Sequence, residues 1–203
     1  MANSNLKVYH FDEKGRAEVI RLILTLAGKS FEDIRMTREE WPDLKPTMPF
    51  GQIPVLEIDG QKFCQGVAIA NYLAGEFGIY GETNLDRLSI DMIGQLVYDF
   101  RYNAAQFYFN NGGKSNPDIG NTICEEHVPK YLVYLEQLLK DNGGKFMVGH
   151  SISLADLVVF DMFTGFFGEF VDAKSADFPI LKDLVYRVGN HEKIKQYLAS
   201  KNQ

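Results

Sequence analysis

Residues 54–63 read Pro54-Val-Leu-Glu-Ile-Asp-Gly-Gln-Lys-Phe63. Two β-rich runs flank Asp59-Gly60, a pair that tolerates positive φ, so the stretch predicts strand, two-residue turn, strand. A helix from about Gly66 to Phe77 follows the hairpin. On its other side Trp41 to Phe50 carries Pro42, Pro46 and Pro49 and is expected to be loop. Further back, Leu6 to Phe11 has strand character. Gly15 to Ala27 places Ala17, Ile20, Ile23, Leu24 and Ala27 along one helical face, with Gly28 as the stop, and Phe31 to Arg35 is a second short strand. The order β-α-β-loop-β-β-α predicts a small mixed sheet with helices on it.

After Thr83 strand character disappears. Leu85 to Phe109 is helical, with Leu88, Met92, Ile93, Leu96, Phe100 and Phe107 near 3.6-residue spacing. Asn110 to Asn121 is a Gly/Asn-rich loop, and Thr122 to Lys140 is helical with Pro129 inside, which predicts a kink or a late start. Ser153-x-x-Asp156 has the form of a capping box opening another helix, and two helices, about Pro179 to Val188 and Glu192 to Ser200, follow. The expected division is an α/β domain over residues 1–81 and an all-α domain over residues 84–203.

The 203 residues include 27 acidic and 21 basic side chains, a net charge of −6 that argues against nonspecific nucleic-acid binding. No apolar run approaches the ~18 residues of a membrane span, and Met1 to Lys14 lacks the basic and apolar regions of a signal peptide. Only Cys64 and Cys124 occur, far apart, which is no disulfide framework. The expectation is a cytoplasmic protein with neither a membrane nor a nucleic-acid partner.

Some motifs have bland readings. Gly113-Lys114-Ser115 resembles the end of a phosphate loop, but position 108 is Tyr rather than Gly and no strand precedes it. Cys124, Glu125, Glu126 and His127 are potential metal ligands without a partner cluster, so no metal is expected. The run Phe163, Phe166, Phe167 and Phe170 reads first as packing, and His150 and His191 receive no role.

Four stretches together are specific: Lys14-Gly-Arg-Ala-Glu18; Glu40-Trp-Pro-Asp-Leu-Lys-Pro-Thr-Met-Pro-Phe-Gly-Gln-Ile-Pro-Val-Leu-Glu-Ile-Asp-Gly60; Ala68-Ile-Ala-Asn-Tyr-Leu73; and Ser153-Leu-Ala-Asp156. Over essentially its whole length the chain resembles the cytosolic glutathione transferases. It looks most like the sigma class, which includes invertebrate enzymes and glutathione-dependent prostaglandin D synthases. The resemblance implies a thioredoxin-like domain followed by an all-helical one, a homodimer, and detoxification chemistry with glutathione as co-substrate and no cofactor.

It also implies residues. Ile53-Pro54 matches the family's cis-proline turn, whose preceding residue pairs with the cysteinyl part of glutathione. Trp41 and Lys45 match residues at the glycyl end, Gln52 and Gln65 occupy matching binding positions, and Arg16 matches an arginine near the catalytic group.

Three positions depart from the pattern. Counting back from Gly15-Arg16-Ala17-Glu18, His10 stands where the family has its catalytic tyrosine, and Tyr9 is adjacent but alternates to the other face of a strand. Gln65-Gly66 replaces a Gln-Ser pair at a helix N-terminus, removing a hydroxyl but keeping the backbone N–H groups. Tyr98 aligns with the aspartate that reaches glutathione across the dimer, and Asp99 is the neighbour that would substitute.

A thiol of pKa near ~8.5 must be held as thiolate to be a nucleophile. His10, with an ordinary pKa of ~6.5, is expected either to take that proton or to donate a ring N–H to the sulfur; a shifted register would assign the role to Tyr9. The expected function is conjugation or isomerisation of small apolar electrophiles. The competing reading is a transferase-fold carrier of apolar ligands, or a structural protein, without efficient catalysis.

Overall fold

The computed structural model describes residues 4–201 and divides into two compact units. One runs up to Ile79 and includes the chain from Glu192 onward; the other is Tyr80–His191.

The first unit opens with β1 (Leu6–Phe11), a 3-10 turn at Gly15–Ala17, α1 (Glu18–Leu26) and β2 (Glu32–Met36). After a proline-rich segment come β3 (Val55–Ile58), β4 (Gln61–Cys64) and a helix at Gly66–Glu76. The strands lie in the order β2-β1-β3-β4. The α1 crossover makes β1 and β2 parallel, with Tyr9 beside Ile34 and His10 beside Arg35. β3 runs antiparallel to both β1 and β4, as the Asp59-Gly60 turn requires. This is the expected thioredoxin-like arrangement.

The proline-rich segment is more ordered than the expected loop. It holds a one-turn helix α2 (Trp41–Leu44) and 3-10 turns at Lys45–Thr47 and Pro49–Gly51. Its prolines sit in first turns, where their fixed φ suits a helix and their missing N–H has no partner to lose. The Gly66–Glu76 helix is therefore α3.

Strand alternation divides β1 between two environments. Leu6, Val8 and His10 are buried on one face; Lys7, Tyr9 and Phe11 are partly exposed on the other. Tyr9 and Phe11 pack with Trp41 and Ile53 against a core of Met36, Met48 and Val55. α1 packs against α3 and is buried from Glu18 through Leu24, Arg21 included.

The second unit contains α4 (Asn84–Asn110), α5 (Ile119–Thr122), a π-helical turn at Ile123–His127, α6 (Val128–Asp141), α7 (Leu154–Thr164), α8 (Gly168–Asp172) and α9 (Pro179–Gly189). Thr83 caps α4 reciprocally: its Oγ1 accepts from the Asp86 N–H at 3.1 Å, and Asp86 accepts from the Thr83 N–H at 2.8 Å. The Ser153 box forms too, with Asp156 accepting from the Ser153 N–H and hydroxyl at 2.8 and 2.6 Å and from the Met147 N–H at 2.8 Å. Every residue of α7 from Leu154 to Phe163 is buried, which makes it the centre of this unit. The chain is helical without a break from Ile119 to Asp141, and Pro129 lies in the first turn of α6, directly after the π-helical turn, where its missing N–H is accommodated.

The last helix, α10 (Glu192–Lys201), packs with the first compact unit. Ile194 is fully buried, and three polar tethers fasten the helix. Lys193 Nζ donates to the Leu26 carbonyl at 3.0 Å, Tyr197 to Glu18 at 3.0 Å, and Lys201 to Asp33 at 3.1 Å. No helix among the described residues is long and apolar enough to cross a membrane.

Candidate active site

His10 ends the buried face of β1 and is 4% exposed. Gly15, at φ +49°, closes over it: a Cβ there would collide with the imidazole ring. His10 Nδ1 lies 3.3 Å from the carbonyl oxygen of Phe11. A carbonyl only accepts, so a hydrogen bond there places the proton on Nδ1 and leaves Nε2 of the neutral ring as an acceptor. Burial, reinforced by the positive charges of Arg21, Arg16 and Arg35, pushes the imidazole down to about 4 despite the opposing pull of the Phe11 carbonyl. His10 therefore lacks the working-pH basicity expected of an ordinary histidine.

Tyr9 goes the other way. Its hydroxyl donates to Glu57 Oε2 at 2.8 Å on the opposite sheet face. Burial, with that hydrogen bond and the charges of Glu57 and Glu32, pushes the phenol up to about 12. β1 is regular through this point, paired on both sides, and no bulge turns Tyr9 to the His10 face.

Part of the expected cradle converges on Gly66. A Cβ at that position would lie 3.3 Å from the Pro54 ring and 3.4 Å from the Arg16 carbonyl oxygen, so the Pro54 turn, the α3 N-terminus and the Arg16 backbone meet there. The Ile53–Pro54 bond is cis, as the resemblance implies. Gln65, at φ 72°, caps α3, and its Nε2 donates to Gln52 Oε1 at 3.0 Å. A side chain at 66 would need the Pro54 ring to give by only a few tenths of an ångström, so nothing in the structure explains the missing serine.

Trp41 packs edge-on to Phe11 at 5.8 Å between ring centres. Lys45 is exposed, and its chain runs along Gly51, whose added Cβ would lie 3.3 Å from Lys45 Cε. Arg16, Lys45 and the α3 N-terminus give the unit cationic groups suited to a ligand with two carboxylates. Asp99 and Tyr98 lie on α4 in the second unit, where Asp99 accepts from Gln95 at 3.1 Å.

Arg21 is the residue that the sequence reading passed over. It is fully buried, donates to Asp33 at 2.8 Å and Glu18 at 3.2 Å, and holds the carbonyls of Glu13 and Lys14 at 3.1 Å each. Its signal was present: Arg21 falls four residues after Ala17 and three before Leu24, on the apolar face of its helix.

The bland motifs are structurally occupied. Gly113–Ser115 is a 3-10 turn. Cys124 donates to the Phe170 carbonyl, Glu125 pairs with Lys174 at 2.6 Å, and the His127 ring lies tilted against Phe107 at 4.8 Å between ring centres. Among the described residues no three-ligand cluster forms. Phe163 and Phe167 are buried, while Phe166 remains exposed and stacks on Phe109.

Residues 4–75 match the family model for the glutathione S-transferase N-terminal domain, and residues 98–201 match that for the C-terminal domain. A glutathione S-transferase of Anopheles gambiae is 36% identical over 196 residues, covering 96% of each chain. The structure of a Nu-class glutathione S-transferase from Haemonchus contortus superposes with a TM-score of 0.87 at 33% identity, covering 98% of each chain. A monomeric glutathione S-transferase from the hookworm Necator americanus superposes with a TM-score of 0.86 at 32% identity, covering 97% of each. The chain belongs to the glutathione S-transferase family of enzymes.

Proposed function

We propose that this chain conjugates or isomerises small apolar electrophiles with glutathione, and that its turnover at neutral pH is held down by the side chain at position 10. The observation that carries this reading is the buried, neutral His10 in the place where the family pattern has tyrosine. With Nδ1–H turned to Phe11, Nε2 accepts the S–H of the ligand and holds it as thiol. Moving that proton from a thiol near ~8.5 onto an imidazole near 4 is uphill by about 6 kcal/mol, so His10 is a poor general base. Thiolate stabilisation then falls to Arg16. Pro54 and Ile53 with Gln52, Gln65 and Gly66 bind the cysteinyl and γ-glutamyl parts, while Trp41 and Lys45 meet the glycyl end. The quoted motifs support a sigma-like subclass, and two unpaired cysteines support a reducing, cytoplasmic setting.

A homodimer is supported by α4. Leu85, Leu88 and Met92 are 74%, 64% and 51% exposed, and steps of three and four residues continue the stripe through Gln95 and Asp99 to Tyr102. Asp99, rather than Tyr98, thus lies on the face offered to a partner, which favours it for the cross-dimer contact with glutathione. Leu88→Glu is expected to shift sedimentation from dimer to monomer; a wild-type monomer, like the hookworm relative, refutes this part.

The three departures at His10, Gly66 and Tyr98 favour a second reading, a carrier without efficient catalysis. Calorimetric titration with glutathione at pH 7, in buffers of different ionisation heat, separates the two when paired with rates on an aromatic halide. Binding without proton release, and a rate rising about tenfold per pH unit below the thiol pKa, is expected. Stoichiometric proton release at pH 7 would remove the neutral-His10 mechanism, and no binding at millimolar glutathione would leave the carrier.

A further inference from the structure

The segment between β1 and α1 bears on both groups assigned to the thiol: Gly15 packs on His10 of β1, and Arg16 follows it. Glu13 and Lys14 are exposed, and what holds their backbone from beneath is Arg21, whose Nη1 takes both carbonyls at 3.1 Å. A fully buried guanidinium needs anions around it, because desolvation of an unpaired charge costs several kcal/mol. Glu18 and Asp33 supply them, at 3.2 and 2.8 Å. Both carboxylates are in turn held by the last helix of the chain. Tyr197 donates to the second oxygen of Glu18, and Lys201 to the second oxygen of Asp33, with Arg35 on the same atom at 2.8 Å. Burial and the charge of Glu18 push the Tyr197 hydroxyl up, so it remains a donor. Arg21 Nη2 is buried without a hydrogen-bond partner among the described residues, so the guanidinium is held through Nε and Nη1 alone.

We infer that α10 is a positioning element for the thiol site: Tyr197 orients Glu18, Glu18 orients Arg21, and Arg21 fixes the 13–16 loop against His10. This rests on the reading of His10 and Arg16 as the groups facing the thiol. Tyr197 touches neither glutathione nor the reacting sulfur; it acts through two side chains.

Tyr197→Phe deletes the hydroxyl and keeps the ring. Lys193→Ala releases the same helix from the far end of α1, through a single bond to Leu26, and serves as the structural control. The His10 ring resonances and the glutathione affinity are read in both variants, with melting temperature as the measure of folding. Tyr197→Phe is expected to move the His10 resonances and to weaken glutathione about three- to tenfold, as for loss of one hydrogen bond in a charged cluster. Lys193→Ala is expected to lower the melting temperature while leaving both readouts in place. Unmoved His10 resonances in Tyr197→Phe, or equal shifts in the two variants, overturn the inference. If wild type binds no glutathione the thiol-site reading fails separately, and the resonance comparison still decides whether α10 controls the loop.

Discussion

Tyr9 and His10 are neighbours in one strand and titrate in opposite directions. The phenol on the α2 face is pushed up to about 12, and the imidazole on the α1 face is pushed down to about 4. The dominant cause is the same for both: removal from water disfavours whichever form is charged, phenolate in one case and imidazolium in the other. Charge then adds on each side, glutamates around Tyr9 and arginines around His10. Two side chains able in principle to handle a thiol proton are thereby both uncharged near pH 7. What separates them is position: only His10 shares its face with Gly15 and the start of α1.

The largest effect that tests this contrast is on stability. His10 has its folded pKa depressed below the unfolded ~6.5, so its neutral form contributes stability that is complete above pH 6.5. That contribution is lost as pH falls through the window from ~6.5 to about 4, amounting to about 3 kcal/mol. Denaturant melts of wild type and His10→Gln across pH 4–7 should converge toward the acid end. Parallel curves would mean that His10 is not buried neutral.

His10→Tyr restores a hydroxyl donor to the thiol. A hydrogen bond to a charged group, worth ~1.5–3 kcal/mol, should raise the conjugation rate at pH 7 by about ten- to a hundredfold and bring proton release into the glutathione titration. A rate unchanged within twofold would place the thiol elsewhere. Gly15→Ala comes next: its positive φ and its collision with the ring predict a loss of about 1–2 kcal/mol, measured as a shift in denaturation midpoint. The smallest effect belongs to the other face. Tyr9→Phe removes one hydrogen bond to a half-exposed carboxylate, costs less than ~1 kcal/mol, and should leave glutathione affinity and turnover within about twofold. A large loss of activity in Tyr9→Phe would reverse the assignment of the two faces.

Much of this was legible from local rules. Asp59-Gly60 dictated the hairpin, and Ser153-x-x-Asp156 dictated the start of α7, because each rule needs only neighbours in sequence. Strand alternation placed Tyr9 and His10 on opposite faces before any packing was known. The ionisation of His10 was not legible, since it depends on Gly15 and three arginines brought together by the fold. The home of α10 was hidden for a related reason. Periodicity identifies which face of a helix is buried and not what buries it, and α10 is fastened by two lysines, which ordinarily read as surface, and by the hydroxyl of Tyr197. Thr83-x-x-Asp86 has the same spacing as the Ser153 box and by the same local rule sets the start of α4.

The π-helical turn at Ile123–His127 has its own consequence. Ile123 and Val128 are both fully buried although five positions apart, a step that in a continuous α-helix would set them about 140° from one another. The wider turn takes up the extra residue and brings the two back to a common side. Just ahead of Pro129, the polypeptide thus has a built-in point of slack, where its length can change by one without rotating the apolar face of α6 away from its neighbours. Shortening this turn by a residue is therefore expected to leave α6 seated as it is.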